Sequence, residues 1–347
     1  MAIRAIGGFN GFMPQATTTA VGFVRDPKNF KHLGYSQLVK APAPQSYYKK
    51  LDLDQPSRMV DPNENLWKDG DLRPQPNTNV LRWEDKPILI QRYNFSFPLG
   101  YQAIETSRNF ANIDSEMLAN KILMQQAMTA RAVRILSKLQ NTGNWPASNT
   151  DTATNLGGGK WNVSDSSLKY IQTTLGAVSQ KINLLTAGAI SGPENLRLIV
   201  SPSLALTMAK STEISDLLKQ SQYAMDQLTW RNRQWGLPDM IAGYEMYVED
   251  VSATTSRPNA DGSAAVVGTD RTYLLNNTNA IVVSKEPGMD GGFGLPNFST
   301  VQVYYYDYEM SVEAFDDPEN KRILINVVDQ TEVVVIPESG YLIQATI

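Results

Sequence analysis

The chain has 347 residues, with 31 lysines and arginines against 35 aspartates and glutamates, which gives a net charge of −4. This balance excludes a nucleic-acid binder that works through bulk positive charge. Cysteine is absent, which excludes disulfides and thiolate metal sites, and His32 is the only histidine, which argues against catalytic triads, zinc cages and most proton shuttles. No segment approaches the roughly 18 apolar residues of a membrane span, and the N-terminus has no signal-peptide core, so we expect an intracellular, soluble product.

The N-terminal part of the chain lacks the periodicity of an independent core. Residues 1–55 are rich in proline, glutamine, asparagine and lysine, and KAPAPQ at Lys40–Gln45 favours polyproline or β geometry. We predict an extended arm here, which is ordered only when it lies on another surface. Residues 56–100 predict a long projecting β-hairpin, because residues 86–97 alternate as a strand does and Asp69-Gly70 is a turn signal.

A long helix is predicted over residues 115–140, where Asp114 or Ser115 caps the start and Gly143 follows the end. Its length of about 39 Å, at about 1.5 Å per residue, exceeds that of an average helix. One face carries an apolar stripe formed by Leu118, Ile122, Ala132, Leu136 and Leu139. A second face is basic and carries Arg131, Arg134 and Lys138. The basic face is predicted either to meet solvent or to contact phosphate groups.

Residues 166–300 alternate between helix and strand patterns. We predict helices at 166–185 and 225–235, and strands at 196–200, 244–251 and 280–284. A nucleophile at Ser201 needs glycine neighbours and a base, but Val200 and Pro202 flank it and the one histidine is distant in the chain. We therefore predict that Ser201 caps the following helix. From residue 301 onwards the patterns are those of strands, with DDPENK at 316–321 as a turn.

Four motifs resemble ligand sites, but each fits a structural role better. LGGGKW at Leu156–Trp161 lacks the spacing of a phosphate-binding loop, and PGMDGGFGLP at Pro287–Pro296 does not open a βαβ unit. On a helix, WRNRQW at Trp230–Trp235 would place one tryptophan and one arginine on each of two sides, which favours packing over nucleic-acid binding. Solvated charges at a strand end are favoured over a cation site for Asp307, Glu309, Glu313, Asp316, Asp317 and Glu319. No motif predicts an active site, a metal or a cofactor.

Taken in order, these features resemble the HK97-fold major capsid proteins of tailed bacteriophages. The resemblance is most specific in LRLIVSPSLALTMAK at Leu196–Lys210, in WGLPDMIAGYEMYVED at Trp235–Asp250, and in the strand-rich ending from Tyr308 to Ile347. It implies an α+β fold with these parts: an N-arm, 1–55; an E-loop hairpin, 56–100; a P-domain, 101–190, with its spine helix, 115–140; an A-domain, 191–300; P-domain return strands, 301–336; and a final A-domain strand, 337–347.

The resemblance also implies a function and a set of contacts. The chain is expected to be a non-enzymatic structural protein that assembles as hexamers and pentamers into an icosahedral shell around double-stranded DNA. E-loop residues expected between subunits are Arg58, Trp67, Lys68, Asp69, Arg73, Arg82 and Trp83. P-domain loop residues expected there are Asp316, Asp317, Glu319, Asn320 and Lys321. In this family the spine helix faces the lumen, which makes Arg131, Arg134 and Lys138 candidate DNA contacts.

Further partners and a location follow from the same resemblance. Portal, scaffold or decoration proteins are expected partners, a membrane is not, and the location is the virion capsid, assembled in the host cytoplasm. Some members of the family cross-link an E-loop lysine to a P-domain asparagine beside a glutamate. Here Lys68 and Asn320 occupy the first two places but Val327 occupies the third, which predicts no cross-link. Two alternatives stay open: an encapsulin shell that encloses protein cargo, and a carboxylate-based enzyme near Asp307.

Overall fold

The computed structural model describes residues 25–51, 83–107, 115–162, 168–190, 192–220, 233–254, 271–286 and 298–347. Its α-helices, α1 to α6 in chain order, are His32–Tyr35, Tyr101–Thr106, Ser115–Gln140, Tyr170–Leu185, Pro202–Lys210 and Thr212–Gln220. Its strands, β1 to β14, are Gln37–Lys40, Gln45–Leu51, Trp83–Leu89, Arg92–Gly100, Thr150–Thr152, Leu196–Val200, Met240–Ile241, Tyr244–Val248, Ser252–Thr254, Arg271–Tyr273, Ala280–Ser284, Val301–Asp317, Arg322–Val335 and Tyr341–Gln344. Among these helices, none combines the length and apolar character that crossing a membrane requires.

A six-stranded sheet, here called the central sheet, has the strand order β5-β14-β11-β6-β8-β7. Its inner strands β6 and β11 are apolar except for Arg197 and Ser284, as expected for strands that are covered on both faces. Helix α4 covers one face with Ile171, Leu175, Val178 and Ile182. The C-terminal half of α3 covers the other face with Ile135, Leu136 and Leu139. The main core of the subunit therefore lies on both sides of this sheet.

A four-stranded sheet, here called the hairpin sheet, has the strand order β1-β12-β13-β4. Strands β12 and β13, of 17 and 14 residues, form a long antiparallel hairpin. Their register shifts between Tyr305 and Met310, so residues 306–309 lie opposite the single residue Gln330. Asp307 in this bulge has a φ of 57°, a left-handed conformation that is uncommon outside glycine. The bulge divides the hairpin sheet into a half beside the central sheet and a half that projects away from it.

Helix α3 spans Ser115–Gln140, the range that the sequence predicted. The predicted apolar stripe is correct in the C-terminal half but wrong in the N-terminal half, where Leu118 is exposed and Ile122 is half-buried. The buried residues there are Ala119, Leu123 and Ala127, which pack on Leu99, Ile325 and Val327 of the hairpin sheet. The correction arises because the helix packs on two sheets in succession, so a single straight stripe does not describe its buried face.

The described part of the N-terminal arm is folded into the subunit. Strand β1 pairs in parallel with β12 at the edge of the hairpin sheet, and His32 and Tyr35 are fully buried. Strand β2 pairs antiparallel with β3, with Leu51 opposite Trp83, so the base of the projecting hairpin begins inside the segment assigned to the arm. The alternating run predicted over residues 86–97 is interrupted at residues 90–91. Before the interruption β3 pairs with β2, and after it β4 pairs with β13.

Several predicted elements are confirmed in the central part of the chain. The predicted strands 196–200 and 280–284 match β6 and β11, and the strand predicted at 244–251 ends three residues earlier, at Val248. The predicted helix 166–185 begins at Tyr170 within the described residues. The helix predicted at 225–235 lies mostly outside the described residues, which include only a 3-10 turn at Arg233–Trp235.

Ser201 is a helix cap, as the sequence predicted. Its backbone is extended, its hydroxyl accepts a hydrogen bond of 3.2 Å from the amide of Leu204, and Pro202 occupies the first helical position of α5. The side chain is buried between β6 and α5, so no water molecule can take over the bond without entering the core. Ser201 therefore joins strand to helix.

Ser201→Ala is expected to lower the free energy of unfolding by about 1–2 kcal/mol, because one buried amide of α5 loses its acceptor. Urea denaturation of dissociated subunits measures the difference. Ser203→Ala, two residues further along the chain and within α5, is the matched control. It is expected to change the free energy by less than about 0.5 kcal/mol. Equal effects of the two substitutions would contradict the capping role.

Candidate functional site

A cluster of charged side chains lies where α3 crosses the bulge of the hairpin sheet. This buried charge cluster consists of Arg131, Arg134, Glu309 and Asp329. Arg131 donates from Nη2 to Asp329 Oδ1 at 2.7 Å, and its Nη1 pairs with Glu309. Arg134 Nη2 pairs with the second oxygen of Asp329. The side chains of Arg131 and Asp329 are 1% and 0% exposed, so this ion pair is removed from water.

The backbone elements bring these charges together in a regular way. Arg131 and Arg134 are three residues apart on α3, so both reach the same strand. Asp329 lies at the end of the regular pairing of β13 with the projecting half of β12, opposite Met310. The bulge of residues 306–309 turns Glu309 towards the helix and so supplies the second carboxylate to Arg131. The cluster depends on the irregular backbone of β12.

Further contacts engage other polar atoms of Arg134 and Asp329. Arg134 donates from Nη1 to the carbonyl of Thr331 at 2.8 Å, and its guanidinium lies 4.0 Å from the centre of the Tyr93 ring. The hydroxyl of Thr331 donates to Asp329 Oδ1 at 2.9 Å. Such hydrogen bonds offset part of the cost of burying charge.

The cluster also sets the local electrostatics. Burial alone lowers the pKa of Arg131, but Asp329 and then Glu309 outweigh this effect, and the net pKa is raised. His32 lies nearby on the arm, and burial followed by the positive charge of Arg131 lowers its pKa to about 3. The imidazole of His32 is therefore neutral at physiological pH, while the guanidinium of Arg131 stays charged.

The sequence predicted that Arg131 and Arg134 lie on a basic face of α3 that meets solvent or phosphate groups. This prediction is wrong for Arg131, which is buried, and only partly correct for Arg134. Both side chains point to β13 instead of solvent, because a buried carboxylate in that strand attracts them. Lys138 pairs with Glu332 at 2.6 Å and is 40% exposed, so a contact of Lys138 with DNA stays a prediction. A charge pattern on a helix does not reveal which strand supplies the opposite charge.

The predicted P-domain loop is the turn between β12 and β13, here called the strand-end loop, residues 316–321. Asp317 accepts hydrogen bonds from Asn320 Nδ2 at 2.9 Å and from Arg322 Nε at 2.8 Å, and these two bonds lower its pKa. Tyr101 donates to Asp316. Glu319, Asn320 and Lys321 are exposed. The loop is thus a shaped, charged projection, and its contact with another subunit is untested.

Apolar side chains are exposed beside this loop and on the hairpin base, which we define as β2 and β3. Phe315, close to the strand-end loop, is 51% exposed, and Val312 and Phe97 are also exposed. On the hairpin base, Tyr47 and Leu89 are 67% and 53% exposed. The opposite face of the hairpin base is covered, since Ile88 packs with Tyr304 and Lys50 pairs with Glu338. The outward face of the hairpin base, which carries Tyr47 and Leu89, is therefore open to a partner.

The predicted E-loop contacts lie almost entirely outside the described residues. This applies to Arg58, Trp67, Lys68, Asp69, Arg73 and Arg82, whereas Trp83 is the first residue of β3. The predicted absence of a cross-link is likewise untested because Lys68 lies outside, although Val327 is indeed a fully buried apolar residue and Asn320 binds Asp317. Within the described residues, no group of three or more potential ligands is placed to hold a metal ion.

Sequence reasoning did not identify Asp329 as the centre of a cluster. The signal was present, because Asp329 shares one strand face with Val327, Thr331 and Val333, which are all buried, and a buried acid requires a cationic partner. It also missed the contact between Tyr35 and Glu249, which joins positions 214 residues apart. Neither residue stands in a motif that points to the other.

No protein-family model and no curated protein matches the sequence. The fold, however, resembles solved structures over nearly the whole chain. A phage-related protein from Bordetella bronchiseptica is 11% identical at a TM-score of 0.62, with 92% of this chain and 93% of that chain covered. The mature capsid of bacteriophage PhiM1 is 13% identical at a TM-score of 0.53, with 94% and 89% covered.

A third similar structure is the holo-SrpI encapsulin complex from Synechococcus elongatus, 8% identical at a TM-score of 0.50, with 94% of this chain and 92% of that chain covered. At such identities the likeness concerns the fold. The chain has the mixed helix-and-sheet fold of phage capsid proteins, and the prediction of an α+β, HK97-like capsid fold is confirmed.

Proposed function

We propose that this chain is a major capsid protein that assembles as hexamers and pentamers into a closed icosahedral shell around double-stranded phage DNA. The observation that carries the proposal is the likeness to the PhiM1 capsid over 94% of this chain and 89% of that chain. We infer a structural, non-enzymatic role, a location in the virion capsid after assembly in the host cytoplasm, and portal, scaffold or decoration proteins as further partners.

The exposed side chains support this proposal in physical terms. Apolar patches on the hairpin base and beside the strand-end loop are costly in a lone subunit and useful between subunits. The two patches lie on projections of the chain, where a symmetric neighbour can reach them. The predicted contact residues of the strand-end loop, Asp316 to Lys321, belong to one of these projections, and those predicted for the E-loop, Arg58 to Arg82, fall in the sequence between β2 and β3.

An encapsulin shell is the second candidate, favoured by the likeness to the encapsulin complex from Synechococcus elongatus. The two candidates share a shell and differ in what it contains. DNA inside a phage shell is held by contacts that do not depend on sequence and weaken with salt. Cargo proteins inside an encapsulin are instead stoichiometric polypeptides.

Sedimentation of the purified chain, before and after nuclease treatment, tests the proposal. A phage capsid protein is expected to sediment as particles of many copies, and shells purified from infected or induced cells retain nuclease-resistant DNA. Shells that carry a second polypeptide and no DNA would favour the encapsulin function. A discrete small oligomer at all concentrations would contradict both candidates and return attention to a carboxylate-based enzyme.

A further inference from the structure

One segment of the arm, Arg25–Ser36, touches both halves of the subunit; we call it the arm clasp. On one side it meets helix α3, where the amide of Arg25 donates to Gln125 Oε1 at 3.0 Å. Phe30 is buried there against Met128 and Ala132. The clasp therefore lies on the helix that supports the hairpin sheet.

On its other side the arm clasp meets the end of β8 in the central sheet. Arg25 Nη1 pairs with Asp250 at 2.8 Å, and the Tyr35 hydroxyl donates to Glu249 Oε2 at 2.8 Å. Both Tyr35 and Glu249 are fully buried. Lys285, which follows β11, donates to the carbonyls of Leu33 and Gly34 at 3.2 and 3.0 Å. A short piece of the arm thus ties two strands of the central sheet to α3.

The fit around Tyr35 is close. Its ring meets the ring of Tyr247 edge to face, with the centroids 5.9 Å apart. A Cβ atom at Gly34 would lie 2.3 Å from the Tyr247 ring, so only glycine allows the backbone to approach so closely. Opening the clasp would expose Glu249 to water, and closing it removes that carboxyl from water.

We propose that the arm clasp is a proton-dependent tie between the central sheet and helix α3, in which the Glu249 carboxyl takes up a proton when the clasp closes. The proposal concerns the fold of the single subunit and goes beyond its role in a shell. It requires that Glu249 changes protonation between the closed and the open clasp while the other groups facing it do not.

The groups around Glu249 meet this requirement. Burial raises the pKa of Glu249 from 4.5 to about 7, and nearby Asp250 adds to the rise, whereas the bonds from Tyr35 and the Val251 amide and the charge of Arg25 lower it. Burial raises the pKa of Tyr35 well above 10. His32 on the clasp has a pKa of about 3 and stays neutral. Lys285 has a lowered pKa, caused first by burial, but it bonds to the clasp backbone instead of the carboxyl.

The sign of the pH effect follows from these values. The closed clasp holds the proton of Glu249 up to about pH 7, whereas an open clasp exposes a carboxyl with the ordinary pKa of 4.5. The contribution of this proton to the stability of the closed clasp is therefore complete below pH 4.5. It decreases as the pH rises and changes little above pH 7. Within that interval the opening equilibrium increases by at most about tenfold per pH unit.

Hydrogen exchange of the peptide that covers residues 25–40 tests the proposal in the full-length chain. Wild type and Glu249→Gln are compared at the same pH, because the intrinsic exchange rate then cancels. The ratio of the wild-type rate to the variant rate is expected to rise at least roughly tenfold between about pH 5.5 and about pH 8. Glu332→Gln, which removes a carboxylate paired with Lys138 at 2.6 Å, is the control and should leave the pH dependence unchanged.

Tyr35→Phe provides a second variant that keeps the ring and removes only the hydroxyl. The midpoint is the pH at which the exchange-rate ratio has completed half of its rise on a logarithmic scale. Because the bond from Tyr35 lowers the pKa of Glu249, loss of that bond is expected to move the midpoint upward. A pH-independent ratio for Glu249→Gln would overturn the proposal. So would an unchanged or lower midpoint for Tyr35→Phe, which serves as the test if Glu249→Gln does not fold.

Discussion

Asp329→Asn is expected to lower the free energy of unfolding of the subunit by about 3–5 kcal/mol, the cost of removing one partner from a buried ion pair. The substitution leaves the guanidinium of Arg131, 1% exposed, with Glu309 as its remaining anionic partner. Arg134 loses its carboxylate as well. Urea denaturation of dissociated subunits, monitored by circular dichroism, measures the loss.

The matched control for this prediction lies three residues further along β13. Glu332→Gln removes a carboxylate that pairs with the half-exposed Lys138, and we expect a loss of less than about 1 kcal/mol. A triple variant, Arg131→Met, Arg134→Met and Asp329→Leu, should regain much of the stability, because the charge it leaves unpaired is that of Glu309, whose side chain is 33% exposed to water. Similar losses for Asp329→Asn and Glu332→Gln would show that the buried charge cluster contributes no more than a surface pair.

Replacing residues 52–82 by Asn-Gly is expected to abolish closed shells while the subunit stays folded. Leu51 and Trp83 pair directly at the end of the hairpin base, so a two-residue turn can connect them without disturbing β2 or β3. The replacement removes the predicted contact residues Arg58, Trp67, Lys68, Asp69, Arg73 and Arg82 together. Sedimentation should change from large particles to subunits or capsomers, with a thermal unfolding midpoint close to that of dissociated wild type.

A second variant separates the length of the hairpin from its side chains. Alanine at the same six positions keeps the length, and we expect it to weaken assembly strongly if those side chains contact a neighbour. Closed shells from the Asn-Gly replacement would contradict the role assigned to the hairpin. Closed shells from the alanine variant alone would transfer the contact to other residues of the hairpin.

Elements whose signals are local could be predicted from the sequence. The range of α3 follows from local signals at both ends, which include Glu116 in the first turn and Lys138 in the last. The unit of β6, Ser201 and α5 follows from an apolar run before Ser-Pro. Strand β11 is predicted correctly because its five residues are buried and mostly apolar. In each of these cases the residues that fix the element lie within a few positions of it.

Features that depend on distant partners could not be predicted in this way. On the predicted basic face of α3, Arg131 and Arg134 pair with Asp329, which is 198 residues from Arg131 in the sequence. The described part of the arm is folded because Tyr35 bonds to Glu249 and β1 pairs with β12, and none of these segments reveals its partner. The bulge places the non-glycine residue Asp307 at positive φ, a cost that only the surrounding contacts can offset.

Electron cryo-microscopy of particles assembled from the purified chain shows whether the protein forms a closed shell. We predict closed icosahedral particles in which the hairpin base and the strand-end loop of each subunit contact neighbouring copies. Density for the subunit should match the central sheet, the hairpin sheet and helix α3 as described. Small oligomers without a shell would contradict the proposed capsid function. Shells in which neither projection touches a neighbour would contradict the proposed contacts.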